Sequence, residues 1–78
     1  MPAILKHSGY RFFFYVNDHQ PKHIHIEKDN KTAKFNLEHL QLIKSRKFNA
    51  SEIREIRKLV ENNITLFIKK WDEYFNNK

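Results

Sequence analysis

The segment Asn17-Asp18-His19-Gln20-Pro21-Lys22-His23-Ile24-His25-Ile26-Glu27 places three of the five histidines and two carboxylates within eleven residues. His23, His25 and Glu27 alternate with Ile24 and Ile26. On a strand, alternate side chains share a face, so this spacing sets two imidazoles and a carboxylate on one side and the isoleucines on the other. Asp18 and His19 precede them in a loop stiffened by Pro21. Three chemistries suit such a group. His23 and His25, acting with His19 or Glu27, can serve as general acid and base for RNA cleavage, because imidazole titrates near pH 6.5. Arg11, Lys22 or Lys34 would then steady the charged transition state. Alternatively, His23, His25 and Glu27 can ligate zinc, nickel or copper, although His-x-His spacing alone is a weak signature. In the third reading the histidines bind a partner protein or phosphates without turnover. That reading is preferred, and it calls for no cofactor.

The elements that must position these groups are legible from periodicity. Residues 1–45 read as strands and residues 49–76 as a helix, together one small domain. The expected strands are Ala3–His7, Tyr10–Val16, His23–Lys28 and Thr32–Leu37, with a short further strand over Leu40–Ile43. Ser8-Gly9 and Asp29-Asn30 supply hairpin turns. The strand Tyr10–Val16 is dense in rings, with Tyr10, Phe12, Phe14 and Val16 facing one way and Arg11, Phe13 and Tyr15 the other. After Phe48, Asn49 and Glu52 have the spacing of a capping box, and Phe48 is placed to staple onto Ile53. Ile53, Ile56, Val60, Ile64, Phe67, Trp71 and Phe75 keep one helical phase, which predicts a single unbroken helix. At 1.5 Å per residue it would run for roughly 40 Å and overhang the sheet. Leu59 and Leu66 lie off its main stripe and are open to a partner, so a homodimer is one expectation. The fold class is therefore α+β: an antiparallel meander of three to five strands with one long C-terminal helix on one face.

One helix covers one face of a sheet. The opposite face is expected to expose Phe13 and Tyr15 beside Arg11, Lys22, His23, His25, Glu27 and Lys34. Rings among cations form a platform on which single-stranded RNA can stack, and an open apolar patch equally marks a protein interface. Lys44, Arg46 and Lys47 add cations just before a helix N-terminus, where a phosphate contact is chemically reasonable. The net charge of +6 also favours anionic partners. With no cysteine in the chain, disulfides and cysteine-ligated zinc are excluded. The apolar runs are too short for a membrane span, and no leader pattern opens the chain, which leads to the expectation of a cytoplasmic protein.

The opening Met-Pro-Ala-Ile-Leu, the aromatic strand Tyr10–Tyr15, the Pro21/His23-x-His25 segment, Ser45-Arg46-x-Phe48 leading into Glu52-Ile53-Arg54-Glu55-Ile56, and Trp71-x-x-Tyr74-Phe75 together resemble a bacterial family. It is the family called Domain of Unknown Function 4160. The chain departs from that pattern with Lys22 where a second proline is common, and with Lys47 where glycine often precedes the phenylalanine. The resemblance implies a small prokaryotic protein encoded beside a partner of the family called Domain of Unknown Function 2442. Such a pair suggests a toxin–antitoxin-like module. No established activity comes with it.

Overall fold

Alternation of apolar and polar residues through the first half yields a five-stranded antiparallel meander in the order β1-β2-β3-β4-β5. In this computed structural model the described residues are 3–75. Met1 and Pro2, which belong to the opening motif, and Asn76, the expected helix end, lie outside them. The strands are β1 (Leu5–His7), β2 (Tyr10–Phe13), β3 (His23–Lys28), β4 (Lys31–Asn36) and β5 (Gln41–Arg46). Ser8 and Gly9 turn the first hairpin, with φ of +54° and +82°. Two consecutive positive φ values match the twist of a tight hairpin. Asp29, at φ +55°, opens the turn between β3 and β4.

β3 keeps its expected limits, β1 opens at Leu5 rather than Ala3, and β4 runs over Lys31–Asn36 rather than Thr32–Leu37; the other two strands change more. β2 stops at Phe13, so Val16 leaves the sheet and stands 77% exposed, although Phe14 still points into the core. β5 begins at Gln41 and runs to Arg46, longer than expected and carrying Lys44 and Arg46 as strand residues. Its irregular sequence has a structural cause. Lys34 faces Lys44 while Phe35 faces Leu42, so Ile43 is the extra residue of a bulge. A bulge inserts one residue and resets the alternation of faces. Leu42 thereby turns toward the core, and Ile43 is left 47% exposed on the other side.

The second half forms two helices rather than one, α1 (Ala50–Asn62) and α2 (Ile64–Phe75). Asn63 breaks them with φ −116° and ψ 18°, while its side-chain Nδ2 donates to the Leu59 carbonyl at 2.8 Å. Asparagine offers the backbone such alternative bonds, which is why it sits poorly inside helices. Hydrogen bonds from Asn63 N–H to Leu59 O and from Phe67 N–H to Asn63 O flank the break. The hydrophobic phase therefore survives it: Ile56, Val60, Phe67 and Trp71 are all buried. Leu59 and Leu66, expected to be open to a partner, pack instead against the chain's own core.

The capping box forms as expected. The Asn49 Oδ1 accepts from Glu52 N–H at 2.8 Å, and Glu52 Oε1 accepts from Asn49 N–H at 3.0 Å. The core lies between the helices and one sheet face. Phe12 stacks on Phe67, and Phe14 meets the edge of Trp71, with ring centres 5.4 and 5.3 Å apart. Among the described residues, no helix is long and apolar enough to cross a membrane.

Candidate functional site

By strand alternation His23 and His25 point away from the Ile24 and Ile26 core face, in register with Asn36 and Lys34 on β4. His23, at the start of the strand, lies at the sheet's end, where its ring also reaches Trp71 of α2. The nine-residue connection from β2 back to β3 folds over the end of this face. Asp18 anchors it: its Oδ2 accepts from Tyr15 N–H at 2.8 Å, and its own N–H donates to Tyr15 O at 3.1 Å. This reciprocal pair of bonds closes a turn over Tyr15–Asp18, fixes the carboxylate and leaves its second oxygen toward the histidines. Asp18 Oδ1 lies 3.1 Å from His23 Nε2 and 3.2 Å from His25 Nε2. The three side chains are 9%, 16% and 10% exposed for His23, His25 and Asp18, so the contact is largely shielded from solvent.

His23 is held on its other side as well. Its Nδ1 is 2.8 Å from the Pro21 carbonyl, and its ring lies 5.1 Å from Trp71 of α2. A carbonyl only accepts, so Nδ1 carries a proton and donates to Pro21. His25 is boxed by rings, with Phe13 stacked at 5.5 Å and the edge of Tyr15 at 4.6 Å. Burial, joined by the charges of His23 and Lys34, lowers the pKa of His25 below its ordinary value although Asp18 pulls it upward. For Asp18, burial pushes upward, yet the Tyr15 N–H and the two imidazoles outweigh it and hold the carboxyl below its ordinary range.

The other residues singled out by the sequence are dispersed. Glu27 is on the same face but its Oε1 accepts from Arg11 Nη1 at 2.9 Å, so Asp18 is the carboxylate that meets the histidines. The Arg11 guanidinium also covers Phe13, 4.2 Å from the ring centre. Phe13 is consequently only 4% exposed, against the expectation of an open ring, whereas Tyr15 is 51% exposed as expected. One helix pair does cover one face only, but arginine, histidine and tyrosine side chains close over Phe13 from the other. Lys22 is paired with Asp72 of α2 at 2.9 Å. His19 is exposed and lines a cleft of about 450 Å³ with Asn17, Asp18, His23 and Lys34. Lys47 is exposed beyond the end of β5.

A second cleft, of about 230 Å³, joins Tyr15, His25, Lys34, Lys44 and Arg46. Lys34 and Lys44 are directly opposed across β4 and β5, and Arg46 is opposite Thr32 on the same face. Like charges directly opposed weaken a sheet. No carboxylate among the described residues forms an ion pair with any of these three cations. The site therefore has two parts: a buried Asp18–His23–His25 cluster, and an open cationic groove on which Tyr15 borders.

Residue type and position had marked the two histidines. Asp18 was visible only as a neighbour in the loop, because the turn that swings it over β3 depends on bonds to Tyr15 rather than on strand spacing. The assembly is a five-stranded meander roofed on one face by a broken helix, with a histidine–carboxylate cluster on the other. This chain belongs to the family described as Domain of unknown function (DUF4160), whose model matches residues 9–72. Neither a curated protein nor a solved structure matches it.

Proposed function

We propose that the chain is a binding component of a bacterial two-protein module of toxin–antitoxin type, acting in the cytoplasm, and that its uncovered sheet face contacts RNA. The observation that carries this reading is the groove of Tyr15, Lys34, Lys44 and Arg46. Opposing lysines with no carboxylate partner are costly unless an anion meets them, and a phosphate backbone is such an anion. Tyr15, half-exposed at the groove, offers a face on which a base can stack. Phe13 does not contribute, since Arg11 and His25 cover it. The two-protein context comes from the family pattern, with a small protein of the Domain of Unknown Function 2442 type as cognate partner.

The geometry favours binding over cleavage. Both Nε2 atoms are directed at the same Asp18 oxygen, and His23 Nδ1 is engaged by Pro21. His23 thus presents neither ring nitrogen to a substrate, whereas acid–base cleavage needs two separated proton carriers within reach of the reacting atoms.

Fluorescence anisotropy with a short single-stranded RNA tests the reading. Lys34→Glu/Lys44→Glu is expected to weaken binding at least tenfold, and Tyr15→Ala by about fivefold or more, the scale of one lost stacking contact. RNA affinity unchanged in both variants would overturn it. Loss of binding to the cognate small protein instead, with RNA unbound throughout, would assign the face to that protein.

A further inference from the structure

The buried cluster calls for a positive charge at its centre. His23 Nδ1 donates to Pro21 O, so a neutral His23 would turn the lone pair of Nε2 toward the Asp18 carboxylate at 3.1 Å. Two lone pairs at that distance repel. Either a second proton or a metal ion must lie between them. Bonding of the remote ring nitrogen to a backbone carbonyl is also how metal-ligating histidines are oriented.

Distances decide what sort of ion fits. Tetrahedral ligands at about 2.0 Å from a zinc ion are separated from one another by about 3.3 Å. Asp18 Oδ1 stands 3.1 and 3.2 Å from the two Nε2 atoms, close to that edge length on two sides of the triangle. All three donor atoms lie within 4.8 Å of one another, so the remaining edge closes with a modest movement of the rings. Two imidazoles and one carboxylate make a borderline donor set, suited to zinc-class ions and poor for magnesium or calcium, which prefer oxygen. The cleft lined by Asn17, Asp18, His19, His23 and Lys34 provides access from solvent and room for water at the fourth position.

We infer that Asp18, His23 and His25 form a zinc-binding site that ties the β2–β3 loop to the first half of β3. The inference does not depend on RNA binding by the neighbouring groove. An ion here would connect the carboxylate of the loop, two residues of the strand and, through His23 against Trp71, the helix layer. Its first consequence is structural, a clamp on the loop. Its second is a fixed positive charge beside the groove.

The test uses the full chain without a histidine tag, stripped with EDTA and titrated with Zn²⁺ by calorimetry, alongside thermal melts. One ion per chain is expected, with a raised melting temperature, and Co²⁺ should give the visible absorption of a four-coordinate ion. Asp18→Asn and His25→Ala should each weaken Zn²⁺ binding at least tenfold, while Glu27→Gln should leave it unchanged. Absence of stoichiometric Zn²⁺ uptake by the unaltered chain would overturn the inference without reference to any variant. Uptake that survives undiminished in Asp18→Asn and His25→Ala would also overturn it, by assigning the ion to the exposed histidines His7, His19 and His39.

Discussion

Lys47 is held at φ +74°, a conformation in which a side chain crowds its own backbone. Glycine, which has no Cβ, suffers no such clash. The strain sits where β5 ends and the chain turns into the Asn49 cap, and the geometry of that turn decides where Phe48 meets Tyr10, ring centres 5.9 Å apart. Lys47→Gly should therefore stabilise the fold by roughly 0.5–1 kcal/mol, the left-handed penalty less the entropy glycine adds to the unfolded chain. Urea midpoints read this directly; a lower midpoint for the variant would show that the turn is not strained. At the same scale, the residues of the site were unevenly legible. His23 and His25 declare themselves through strand alternation, a property of two-residue periodicity. Asp18 does not, because its place depends on a hydrogen-bonded turn whose closure no periodicity encodes. Phe13 misleads for a related reason: sheet geometry alone says that it faces outward, and only the lengths of Arg11 and Tyr15 reveal that it is covered.

Between elements, one contact reports on how the helix layer seats on the sheet. Tyr10 of β2 is 1% exposed and its hydroxyl donates to Glu55 Oε1 of α1 at 2.9 Å. Burial, followed by that hydrogen bond and the charges of Glu55 and Glu52, pushes its pKa up to about 12 from 10.0. The folded state thus holds the phenolic proton more tightly than the unfolded chain does. Its contribution is complete below pH 10, declines as pH rises from 10 toward 12, and is absent above. Tyr10→Phe should remove this dependence, so the stability gap between pH 9 and pH 11.5 is expected to be larger in the unaltered protein by about 1–2 kcal/mol. Equal gaps would mean that the hydroxyl is not bonded to α1. Element boundaries also show what periodicity can carry. The cap at Asn49 is written in local sequence and forms as read. The break at Asn63 is hidden, because the hydrophobic stripe keeps its phase through a residue whose side chain competes for the backbone. The bulge at Ile43 is hidden for the opposite reason, since it exists to repair a phase that Leu42 and Ile43 break.

Across the whole molecule, the +6 charge is not spread evenly in its effects. On the helix side, lysines meet carboxylates: Lys31 with Glu52, Lys22 with Asp72 and Lys70 with Glu73. On the uncovered face, Arg11 and Glu27 pair at one side, whereas Lys34, Lys44 and Arg46 converge on the groove with no ion-paired carboxylate among the described residues. Surplus charge concentrated in one place gives a polyanion a definite docking site rather than a diffuse attraction. Contacts of that kind are driven by counterion release, which makes them strongly dependent on salt. If the three cations each neutralise one phosphate of a single strand, the logarithm of the association constant should fall with the logarithm of salt concentration at a slope of about −2. Removing Lys44 alone should bring the slope to about −1.4 and weaken binding to every RNA sequence alike, because a phosphate contact carries no base information. Tyr15→Ala should instead lower affinity at all salt concentrations with little change in slope, since stacking releases few ions. Anisotropy titrations between 50 and 300 mM salt separate the two, an interval over which the expected slope is resolved easily. A slope near zero, or one insensitive to Lys44, would mean that these cations do not meet phosphates and that the groove faces something other than nucleic acid.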